Sequence, residues 1–90
     1  MTKEKTTPDQ ENKQGSSRFS HLIVYNDNVN TFDHVIDTLI KICDHNPEQA
    51  EQCTMIIHHK GKCVVKSGDV EILKEMCRKI LERNIIAKVE

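Results

Sequence analysis

Val, Leu, Ile and aromatic residues are missing from the first eighteen positions, then arrive in short, regularly spaced groups. The opening stretch is mostly Lys, Glu, Thr, Gln, Asn and Ser, with too little apolar surface to offset the entropy of ordering it. A disordered arm over residues 1–18 is expected, followed by one folded domain over 19–90. His21-Leu22-Ile23-Val24-Tyr25 is short, β-branched and bounded by Asn26-Asp27-Asn28, which predicts a strand ending in a turn. Thr31 can cap a helix whose residues Phe32, Val35, Ile36, Leu39, Ile42 and Cys43 share one face, with a stop near Asp44-His45. Asn46-Pro47-Glu48-Gln49 then supplies an N-cap, Pro at N1 and Gln at N3. This second helix should bury Ala50, Cys53, Thr54 and Ile57 and end at Gly61.

Lys62-Cys63-Val64-Val65-Lys66 reads as a second strand. Ser67 or Asp69 caps a third helix that buries Val70, Leu73, Met76, Cys77 and Ile80, and Ile85–Val89 closes the chain as a third strand. The predicted order is β-α-α-β-α-β. That is an α+β domain, with three helices packed on a three-stranded antiparallel sheet.

Composition narrows the function. Ninety residues make one domain, and the net charge of −1 gives no reason to expect nucleic acid or an anionic membrane as partner. Phe19, Tyr25 and Phe32 are the only aromatics, too few for a base-stacking surface. There is no apolar leader and no apolar run near the 18 or so residues of a membrane span, so a cytoplasmic monomer is expected. The four cysteines, Cys43, Cys53, Cys63 and Cys77, lie in or beside apolar stretches, as reduced buried thiols do. A disulfide framework remains the alternative for an even count. No zinc spacing occurs among them and the five histidines, so neither metal nor cofactor is expected. A Cys–His hydrolase lacks an elbow motif, an oxyanion loop and a third orienting residue, so the chain does not read as an enzyme.

On residue type alone, Asn26-Asp27-Asn28 is a turn, and His58 is a residue that satisfies a helix C-terminus. Thr54 is less ordinary, a hydroxyl on a face otherwise built for burial. In combination these residues point further. The segment Tyr25-Asn26-Asp27-Asn28-Val29-Asn30-Thr31-Phe32 resembles the ClpS signature, a strand ending in Asn-Asp-Asp followed by Thr and a helix. Ala50-Glu51-Gln52, with His58-His59-Lys60-Gly61-Lys62 after it, resembles that family's second helix and its His-x-x-Gly-Lys ending. Asp69-Val70 opens a helix carrying Lys74 in the matching place. The likeness covers roughly residues 20–90, with Asn28 where the family has a second acid and a shorter stretch before the last strand.

The resemblance implies a non-catalytic adaptor for N-degron proteins. Its site would grip a free α-ammonium and the bulky side chain beside it: Leu, Phe, Tyr or Trp. Asn26, Asp27, Asn28 and neutral His58 would face the ammonium, whose three donors must not be left unpaired on desolvation. Thr31, Phe32, Val35, Thr54, Ile57 and Ile85 would line the hydrophobic hole. Asp69 and Lys74 would dock the N-terminal domain of a Clp AAA+ ATPase, and the arm would engage its pore. The rival reading is a partner-binding domain with the same element order, as in ribosomal-stalk proteins, which needs no pocket.

Overall fold

The computed structural model describes residues 18–90, so the expected arm lies, apart from Arg18, outside the described residues. Six elements follow: β1 (Phe19–Tyr25), α1 (Phe32–Cys43), α2 (Pro47–Lys60), β2 (Lys62–Asp69), α3 (Val70–Glu82) and β3 (Ala87–Val89). Each helix begins where a side-chain oxygen is ready for its free N–H groups. Thr31 Oγ1 accepts from His34 N at 3.1 Å, Asn46 Oδ1 from Gln49 N at 2.7 Å, and Asp69 Oδ2 from Ile72 N at 3.3 Å. Of the two caps expected for α3, Asp69 serves. The first two helices end on left-handed residues, Asp44 and Gly61, whose N–H groups return to the carbonyls of Leu39 and Ile57.

The sheet is three-stranded, in the order β2-β1-β3, and both pairings are antiparallel. β1 is thus central, which suits its run of buried aliphatics. The register of β1 against β2 slips between Leu22 and Ile23, pairing them with Lys66 and Val64. The carbonyl of Val65, which the register skips, accepts a hydrogen bond from Nε2 of buried His45 at 2.7 Å. The pattern around His45 signals only a loop between helices, so this use of the ring was not foreseen.

All three helices contact the sheet, and the core between the layers joins Leu22 and Val24 of β1 to Leu39, Ile57, Leu73 and Ile80. Burying each of those side chains contributes roughly 1.5–3 kcal/mol. A polar seam ties α3 to α1: Arg83 donates to Thr38 Oγ1 at 2.7 Å and to Asp37 Oδ2 at 2.8 Å. Thr38, fully buried, donates in turn to the His34 carbonyl at 2.8 Å.

The strand limits differ from expectation. β1 starts at Phe19 and β2 runs on to Asp69, because Phe19 and Asp69 are already register partners. β3 begins at Ala87 instead of Ile85. Asn84 takes a left-handed conformation (φ 66°) and Ile85 N bonds back to the Ile80 carbonyl, so these residues finish the helix instead of starting the strand. Among the described residues, no helix is long and apolar enough to cross a membrane.

Candidate functional site

The antiparallel pairing of β1 with β2 begins at Tyr25 opposite Lys62, immediately after α2 ends. The end of the first strand is therefore held against the end of the second helix. The next residue extends the clip: Asn26 N donates to the Gly61 carbonyl at 2.8 Å. Gly61 sits at φ 93°, a conformation that favours glycine, and its N–H closes α2 on the Ile57 carbonyl at 2.9 Å. His58 lies three positions before Gly61. The turn after β1 and the tail of α2, 26 and 58 in the numbering, thus come to one place.

Between them lies a recess of about 410 Å3, lined by Asn26, Asp27, Asn28, Asn30, Thr31, Phe32, Val35, Thr54, Ile57 and His58. That volume is near the lower end of the roughly 300–1000 Å3 typical of small-ligand sites, enough for one residue of a chain. Nine of the ten residues expected at the site line this recess; Asn30 is an addition. Ile85 is not among them. It is 2% exposed and packed in the core cluster, where the turn after α3 places it. Asp69, which ends β2 and caps α3, and Lys74, on α3, are not among the lining residues; exposed Lys74 pairs with Glu71 at 3.7 Å.

The rim divides into residues that hold the loop and residues that face outward. Asp27 Oδ1 accepts from Val29 N and Asn30 N, both at 2.8 Å, and Oδ2 accepts from Asn30 Nδ2 at 2.7 Å. Those bonds, the Asn30 backbone first, and the nearby His34 hold the Asp27 carboxyl below its ordinary value against the opposing effect of burial. The side chains of Asn26, Asn28 and His58 are exposed and make no hydrogen bond to another described residue. They offer two amide oxygens and an imidazole nitrogen at the mouth.

The walls are apolar. Thr54 is 2% exposed, and its hydroxyl donates to the Ala50 carbonyl at 2.8 Å, so its polar atom is satisfied within the helix. Ile57 is buried below, Val35 is half-buried, and Phe32, 39% exposed, meets the His58 ring edge-to-face at 5.4 Å between centroids. Val29 stands almost fully in solvent on the loop above.

Burial pushes the Cys43 and Cys63 thiols up to about 11, far from the reactive thiolate range. Among the described residues, no three His, Cys, Asp or Glu side chains are grouped to hold a metal ion.

Comparison with known proteins agrees with this architecture. A solved structure of Agrobacterium tumefaciens ClpS2 bound to L-phenylalaninamide superposes with a TM-score of 0.79, covering 83% of this chain and 98% of that one at 14% identity, a likeness of fold. ClpS adapter proteins of two Campylobacter jejuni strains, serotype O:23/36 of subspecies jejuni and one of subspecies doylei, are each 32% identical over 73 residues. That overlap spans 79% of this chain and 76% of each relative. The family model for the ATP-dependent Clp protease adaptor protein ClpS matches residues 17–86. With its element order, its sheet and most of its length accounted for in this way, the chain belongs to the ClpS family, non-catalytic adaptors of the ATP-dependent Clp protease.

Proposed function

We propose that this adaptor binds the free α-amino group and bulky hydrophobic side chain of a protein's N-terminal residue (Leu, Phe, Tyr or Trp) and delivers that protein to a Clp AAA+ ATPase. The observation that carries this reading is the union in one recess of a mouth of outward-facing acceptors, Asn26, Asn28 and His58, with walls of Phe32, Val35, Thr54 and Ile57. An ammonium brings three donors, and those three side chains can answer them. Asp27, ionised and held by its own loop, adds negative charge beside the mouth without leaving its hydrogen bonds. Charge-assisted bonds of this kind are about twice as strong as neutral ones. The apolar walls supply roughly 1.5–3 kcal/mol for a Leu or Phe side chain.

The ligand of the Agrobacterium fold relative supports the same chemistry. Phenylalaninamide is a phenylalanine with a free amine and an amide in place of the next peptide bond. The recess also favours this reading over a pocketless partner-binding domain of the same element order, in which Asn26 and His58 would have no shared use. On this reading Asp69, the cap of α3, and Lys74, on that helix, both outside the recess lining, dock the N-terminal domain of the ATPase, so substrate and protease are held by separate surfaces.

The test is a titration of a fluorescent peptide beginning with Phe or Leu, beside its N-acetylated copy. Free-amine peptide is expected to bind at micromolar Kd or tighter and the acetylated copy to fail. Equal binding of the two would reduce the recess to a generic apolar groove.

A further inference from the structure

The recess has a residue that the motif does not explain. Asn30 is half-buried and has one amide group with two acceptors: Nδ2 donates to Asp27 Oδ2 at 2.7 Å and to the Asn84 carbonyl at 2.8 Å. The first bond is local, across three residues; the second spans fifty-four positions and joins the rim to the turn after α3. Asn84 presents that carbonyl from a left-handed conformation, φ 66°, which asparagine tolerates better than most residues. The adjacent carbonyl, Arg83 O, accepts from His34 Nε2 of α1 at 2.9 Å, and the Arg83 side chain grips Asp37 and Thr38. The turn is thus pinned to α1 from several directions and forms a fixed point. The rim loop is held at its ends, by Asn26 N on the Gly61 carbonyl and by the Thr31 cap, but its middle is open: Val29 at its tip is 86% exposed and Asn28 is exposed.

We propose that Asn30 is the positioning residue of the rim. It holds the Asp27 carboxylate in its loop-closing geometry and ties the Asn26–Thr31 segment to the Asn84 carbonyl, so that the mouth is set before a ligand arrives. The binding arm of this inference rests on the reading of the recess as a site for a protein's amino terminus; the clamp itself rests on geometry alone. A loop of six residues that closes only through Asp27 would sample other shapes, and each lowers the fraction of molecules ready to bind. If removing the clamp leaves the rim competent about a tenth of the time, the apparent Kd rises about ten-fold.

The experiment compares the wild type with Asn30→Ala by two readouts, amide hydrogen exchange and titration with a Phe-initiated free-amine peptide. Exchange at the Val29 and Asn30 amides should accelerate in the variant, while amides inside α1 and α3 and the melting temperature stay close to wild type. Peptide Kd should rise about ten-fold, and Asp27→Ala combined with Asn30→Ala should cost less than the sum of the two single losses, because the two residues share one hydrogen bond. Asn30→Asp, which keeps the shape and loses the donor, should show the same fast exchange. Unchanged exchange at Val29 and Asn30 overturns the clamp. Fast exchange with unchanged Kd overturns its role in binding. A wild type that binds no free-amine peptide sinks the pocket reading instead, and the exchange result then decides the clamp by itself.

Discussion

At the mouth of the recess, Asp27, Asn30 and Thr31 hold the loop by hydrogen bonds while the side chains of Asn26, Asn28 and His58 are left free among the described residues, whereas along its walls the side chains are held by helix and core. Asp27 takes three hydrogen bonds from its own loop, and Thr31 caps α1. Ile57, 3% exposed, belongs to the same cluster as the sheet's inner face, and buried Thr54 is satisfied within its helix. The mouth is thus a local construction on a small number of hydrogen bonds, and the walls are an extension of the domain's packing. Changes in the walls should register first as stability, and changes at the mouth first as binding, with a smaller stability loss where a loop-closing bond is broken.

Four substitutions sharpen or break that contrast, from the largest expected effect to the smallest. Ile57→Ala should destabilise the domain by about 2–5 kcal/mol, read by denaturant unfolding, because it empties a packed site. A loss confined to binding would mean that the wall is not part of the core. His58→Ala should leave stability within about 0.5 kcal/mol of wild type. Its peptide binding should weaken by about 1.5–3 kcal/mol through the lost bond to a charged group. A large fall in melting temperature would instead assign the ring a structural role.

Asp27→Asn sets two amide groups donor to donor and should cost about 1 kcal/mol of stability at neutral pH, with weaker peptide binding. The sign with pH follows from the depressed carboxyl. The wild type's advantage is present above the ordinary carboxylate value and disappears as the pH falls through the folded one. An advantage that persists in strong acid would show that charge is not its source. Asn28→Asp should tighten peptide binding, by at most about 1 kcal/mol and mainly at low salt, since position 28 is exposed. No change would mean that the ammonium does not sense position 28.

The same contrast explains what the sequence made legible. Helix positions and element order followed from caps and apolar spacing, because Thr31, Asn46-Pro47, Gly61 and Asp69 act on their immediate neighbours. The shared face of α1 serves two purposes: Leu39 and Cys43 are buried in the core, Val35, Ile36 and Ile42 are half-buried against it, and Phe32 and Val35 line the recess. Cys53 and Met76 are likewise half-buried at the edges of stripes otherwise buried as expected. The polar residues of the core were not legible. Thr38 and His45 are buried by partners on distant elements, Arg83 and Val65, and nothing in their own surroundings announces it. Asn30 gives no local sign of its role for the same reason, since its second acceptor lies far along the chain. Ile85 was assigned to the hole on resemblance, and the left-handed Asn84 before it helps turn it into the core instead.

The most direct measurement is a crystal or solution structure of the domain with a Phe-initiated peptide. The account predicts the ammonium within hydrogen-bond reach of Asn26, Asn28 and His58, with the phenyl ring between Phe32, Val35, Thr54 and Ile57. A peptide lodged elsewhere on the surface, or lying in the recess with its amine turned to solvent, would contradict it.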